Sequence, residues 1–220
     1  MNLWTILQLA DSAWPSGSFA HSAGLESAWR GRLVHDERSL ESFLHTQLAQ
    51  WARGTAPLAL MAFRDAAEFP AADALCDLFL NHPVANQASR VQGRGMLAAA
   101  LRAWPDAGLS ELDDRLRASD SPRHFAPIFG AISARLAISE PDAARLLCFT
   151  TLRGVISAAV RLNIIGPLAA QAMQHRLTAR AEAMAGESRH VSPDDIAQTS
   201  PVADLLSSCH GRLYSRLFQS

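Results

Sequence analysis

Between Pro15 and Glu26 the chain places Ser16, Ser18, His21, Ser22 and Glu26 within eleven residues. Serine, imidazole and carboxylate are the groups that acyl transfer uses as nucleophile, base and orienting acid. The spacing argues against that use. A nucleophile elbow needs Gly-x-Ser-x-Gly after a strand, and here Gly17-Ser18 follows the helical apolar run Ile6–Ala10. Ser and Gly then read as a tight turn that caps a helix starting near Ser18 or Phe19. A small helical hydrolase using Ser18 or Ser22 with His21 stays as an alternative.

His21, Cys209 and His210 are the candidate metal ligands. A stable centre needs three or four ligands at controlled spacing, and the chain has neither Cys-x-x-Cys nor His-x-x-x-His. No resident metal or other intrinsic cofactor is expected. Gln92-Gly-Arg-Gly95 has too few glycines for a phosphate loop and reads as a close helix contact. All 20 basic residues are arginines, so no Schiff-base lysine or P-loop lysine exists.

Arg153 and Arg161 lie two turns apart on the most apolar stretch, 146–173. A buried arginine needs a partner. For Arg153 the expected partner is a carboxylate, with Glu140, Asp142 or Glu26 as candidates; for Arg161 an interface is equally consistent. The terminal Tyr214-Ser215-Arg216-Leu217-Phe218 is too apolar for a solvated end. It reads as a flexible tail, 211–220, that orders on a partner.

The elements that must position these groups are helical. Leu40, Phe43, Leu44, Leu48 and Trp51 form one stripe, with Asp36 as N-cap and Gly54 as stop. A second helix is expected from Thr55 to Pro70, a third over 72–81 and a fourth from Ala85 to Trp104. Residues 105–122, with five acidic side chains, read as an exposed connection with a possible turn of helix at 111–116. Helices follow at 123–138, 141–162, 167–185 and near 202–209. The 141–162 helix is apolar almost all round, so it should be central. No alternating strand pattern longer than four residues appears. The fold class is all-α: a single domain, 1–220, of roughly eight to ten helices.

The 220 residues are 49% hydrophobic with a formal net charge of −1. That balance excludes an overall basic grip on nucleic acid. Three scattered cysteines argue against a disulfide framework, and the N-terminus lacks a signal-peptide pattern. A cytoplasmic chain without a membrane span is expected.

Four motifs taken together resemble the UreF family of urease accessory proteins. They are Leu7–Ala10 with Pro15–Phe19 and His21–Glu26; Ser89–Arg94; Ala159–Gln171; and Ser200-Pro201 with Cys209-His210 and Tyr214–Phe218. The resemblance implies a homodimer that binds the accessory protein UreD (UreH in some bacteria), the GTPase UreG and apo-urease. It implies a scaffold that couples GTP hydrolysis to Ni(II) delivery, with GTP held by the partner and nickel handled in transit. Glu26 and Arg161 match family positions tied to GTPase control, and Gln171 matches a recurrent glutamine. His21 and Ser22 join them on the expected GTPase-facing side. Tyr214, Ser215, Arg216, Leu217 and Phe218 match a tail ordered against UreD/UreH. Gly166-Pro167 and His210-Gly-Arg-Leu depart from the family's usual Gly-Gln and His-Glu-Thr-Gln. An autonomous nickel carrier using His21, Cys209 and His210 is the further alternative.

Overall fold

The computed structural model describes residues 3–15, 21–200 and 217–218. Eleven α-helices and one short 3-10 helix (Pro193–Asp195) are the ordered elements among these, with no strand. They are α1 (Leu3–Ala10), α2 (Leu25–Arg30), α3 (Glu37–Arg53), α4 (Thr55–Arg64), α5 (Phe69–Phe79) and α6 (Pro83–Ala103). Then come α7 (Leu109–Ala118), α8 (Phe125–Arg135), α9 (Glu140–Arg161), α10 (Pro167–Arg176) and α11 (Thr178–Ser188). The expected all-α bundle is what forms.

Local signals account for several boundaries. Asp36 caps α3 by accepting from the Ser39 amide at 2.8 Å, and the Ser39 hydroxyl reciprocates toward the Asp36 amide. Ser139 caps α9 and Pro141 occupies its first turn, where a missing N–H costs nothing. Asn163 then takes a left-handed φ of 58°, and Ile164 N–H closes on the Ala159 carbonyl at 3.0 Å. This terminates α9 directly after Arg161.

Three expected boundaries are corrected. The second helix stops at Asp65, and Pro70 instead opens α5, because proline fits a first turn. The 105–122 connection contains a ten-residue helix, α7, whose Leu109, Leu112 and Leu116 are buried. The expected 167–185 helix is divided at Leu177 into α10 and α11. The helix expected near 202–209 lies outside the described residues.

α9 is central, as its apolar circumference requires. It packs against α1, α2, α3, α4, α8, α10 and α11. The tightest crossing is α4 on α8: a Cβ on Gly130 would overlap the Ala59 carbonyl oxygen. α9 is also the one described helix long and apolar enough to cross a membrane, but 56% of its most apolar window is buried inside the bundle.

Candidate functional site

The chain reaches Glu26 through a turn. Leu25 N–H bonds to the Ser22 carbonyl at 3.0 Å, and both intervening residues have positive φ, Ala23 at 51° and Gly24 at 82°. Glycine accepts that conformation at no steric cost, whereas alanine is strained there. The turn drops α2 against α9 and carries Glu26 inward. Glu26 and Ser22 have no exposed surface, and the Ser22 hydroxyl accepts from the Glu26 amide at 3.4 Å.

This corrects the expected outward helix face. His21 and Ser22 precede α2 rather than lie on it, and Ser22 and Glu26 point into the protein. Ser22 is also withdrawn from any solvent-borne substrate, which removes it as a nucleophile. Ser18 lies outside the described residues. His21, half-buried, lines a cavity of about 310 Å³ together with Trp14, Trp51, Met96, Phe125 and Arg153.

A buried carboxylate is costly unless hydrogen bonds replace its water. Glu26 meets that need from the far end of the chain. Its Oε1 accepts from the Leu217 amide at 2.8 Å and its Oε2 from the Phe218 amide at 3.1 Å. The Phe218 ring lies under the Arg161 guanidinium, 4.2 Å from carbon to ring centre. That distance is within cation–π range. Phe218 is 5% exposed, while Leu217 is 51% exposed. Three motifs from different parts of the sequence thus meet at one place. Phe218, expected on a tail awaiting a partner, is buried against its own chain. Tyr214, Ser215, Arg216, Cys209 and His210 lie outside the described residues. Gln171 is exposed on α10.

Arg153 has a different partner from the one expected. Its guanidinium donates to the Ala10 carbonyl at the end of α1 and lies over Phe149 at 5.5 Å. Burial lowers its pKa. Glu140 is instead taken by Arg64, with bonds of 2.8 and 3.1 Å, and by Arg189 at 3.1 Å. Asp142 pairs with Arg145. The reason is direction: Arg153 sits more than two turns beyond Glu140 and Asp142 on the same helix, out of reach of either.

Sequence reasoning missed a second polar cluster. His124 is fully buried, with Nε2 at 2.9 Å from Asp77 Oδ1 and Nδ1 at 3.1 Å from the Ser89 hydroxyl. The row Asp77–His124–Ser89 has the composition of a catalytic triad. Yet the Ser89 hydroxyl also accepts from the Phe125 amide at 3.2 Å, and Ser89 sits inside α6 rather than on an elbow. Asp73 accepts from the Arg123 and His124 amides at 2.9 and 2.8 Å. The cluster therefore ties α5, α6 and the start of α8 together. Gly93 completes it, since a Cβ there would overlap the Arg123 carbonyl oxygen. The available signal was Gly93 beside Ser89 in one motif.

No group of three or more His, Cys, Asp or Glu side chains that could hold a metal occurs among the described residues.

A family model described as UreF matches residues 34–178. The chain is similar to urease accessory protein F of Oryza sativa subsp. indica, at 37% identity over 99% of this chain and 85% of that protein. It is 35% identical to urease accessory protein F of Arabidopsis thaliana, over 99% of this chain and 92% of the relative. It is 32% identical to urease accessory protein UreF of Mycobacterium bovis (strain BCG / Pasteur 1173P2), over 100% and 99% of the two chains.

Proposed function

The chain belongs to the UreF family of urease accessory proteins, and from that premise we propose that it is a non-catalytic scaffold for nickel insertion into urease. In this reading it acts in the cytoplasm as a homodimer. It binds UreD/UreH and the GTPase UreG, docks with them on apo-urease, and couples GTP hydrolysis by UreG to nickel delivery.

The observation that carries the reading is the meeting of Glu26, Arg161 and Phe218. The motifs that resemble GTPase-control positions and the motif that resembles a partner-binding tail share one site. A scaffold that links two partners needs such a junction, whereas a hydrolase needs an accessible nucleophile. The chain has no lysine and so no P-loop lysine, and in this reading the GTP is held by the partner.

The test is deletion of the gene with complementation, together with pull-down from the complemented strain. Loss of urease activation and co-purification of UreD/UreH and UreG are expected. Normal activation in the deletion strain, with neither partner retained, overturns the proposal.

A further inference from the structure

We propose that the cavity beside His21 is a binding site for a small aromatic carboxylate, with Arg153 as the group that holds the ligand's charge. The site does not depend on the scaffold reading above.

The cavity offers about 310 Å³ where α3, α6, α8 and α9 come together. Packed interiors leave few voids larger than a water molecule. A void of about 150 Å³ is enough to bind benzene, so this one has room for a bicyclic ring with a short polar group. The wall suits such a body. Trp51, Phe79, Phe125 and Phe129 present aromatic surface, and Met96 adds an adaptable thioether.

The polar part of the wall is short of acceptors. The Arg153 guanidinium sits where α1 ends: it donates to the Ala10 carbonyl, and the flanking Leu9 and Asp11 both line the cavity. Among the described residues Arg153 has no ion-pair partner. Burial disfavours its charge. Asp11, the acid whose charge favours it, is exposed and accepts from the Ala13 amide at 2.8 Å. A half-buried cation without a carboxylate costs free energy, and an anion with its own apolar body offsets that cost. Trp51 adds to the shortage. It is 3% exposed, and its indole N–H is buried with no acceptor among the described residues. The Trp14 indole N–H, on the same wall, is in the same position.

The other titratable groups on the wall do not repel an anion. His21 and His82 are imidazoles, and burial keeps the Cys76 thiol protonated. A guanidinium grips a carboxylate through two parallel N–H···O bonds, and Arg153 has donors left beyond the one given to Ala10. The ligand class follows from the two halves of the wall: a ring for the aromatic side chains, a carboxylate for Arg153.

Calorimetric titration of the full-length protein with 2-naphthoate tests the site, with 2-naphthamide as the neutral counterpart. Naphthoate should bind once per chain, about tenfold or more tightly than the amide. R153Q should weaken naphthoate about tenfold and leave the amide within about twofold. If R153Q disturbs the fold, R153K carries the test: it keeps the charge and should still prefer the acid. A88W places an indole in the cavity from α6 and should remove binding of both ligands. T150W does the same from α9 if circular dichroism shows that A88W has lost helicity. Three results overturn the proposal. They are no saturable naphthoate binding up to about 1 mM, equal affinity of the wild-type protein for acid and amide, and naphthoate binding that survives cavity filling.

Discussion

Nε2 of His124 lies 2.9 Å from Oδ1 of Asp77, across 47 residues of sequence. The pair is the pin between α5 and the start of α8. Asp77 also accepts from Asn86 at 2.9 Å and from Arg90. These donors, Asn86 first, then His124 and Arg90, hold its carboxyl well below the usual carboxylate range. A group whose folded pKa is depressed contributes stability above its unfolded pKa, and that contribution is lost as pH falls through the folded value. Thermal melts should therefore show D77N less stable than wild type by about 1–3 kcal/mol at pH 7. The gap should narrow as pH falls below about 4, where the Asp77 carboxylate of the unfolded chain takes up its proton while that of the folded protein still does not. Equal stability of the two proteins at pH 7 would remove the pin.

Two glycines should respond to alanine in opposite directions. In G130A the new methyl meets the backbone carbonyl of Ala59, so α4 and α8 must separate, at a cost of about 1–3 kcal/mol or more. In G154A nothing lies within 4 Å of the added Cβ, and a helix-interior glycine is removed. That change should stabilise by up to about 1 kcal/mol. Urea unfolding midpoints of the two variants check both signs.

Deleting residues 211–220 should abolish binding to UreD/UreH while the far-ultraviolet circular dichroism stays nearly unchanged. The deletion removes a buried phenylalanine and leaves Glu26 without two of its donors. A lower melting temperature with intact helicity at 25 °C is expected, since the buried ring alone is worth about 1.5–3 kcal/mol. Unfolding at that temperature would instead make the terminus part of the core.

The thiols of Cys76 and Cys148 should be inert in the native protein. Burial pushes both up, Cys148 to about 12, so the reactive thiolate is scarce at neutral pH. A disulfide-exchange reagent at pH 8 should titrate no more than one thiol natively, and all three cysteines of the sequence in denaturant. Two or more fast native thiols would contradict the packing around α5 and α9.

The sequence by itself determined the all-helical class, the central place of α9 and several boundaries. Asp36, Gly54 and Pro141 act within one turn of where they stand, so their effect is local and legible. Its motifs also carried the family. Where a cue had two local readings, the sequence did not decide. Pro70 can follow one helix or open the next, and the leucines of α7 became a buried stripe only against neighbouring helices.

The sites were decided by tertiary structure. His21–Glu26 looked like an exposed polar face because the inward swing at Ala23–Gly24 depends on what α2 packs against. Glu26 and Phe218 stand 192 positions apart, and Asp77 and His124 stand 47 apart. No periodicity spans such separations. A buried carboxylate must find donors, but only the packing of α2 on α9 puts the Leu217 and Phe218 amides within its reach.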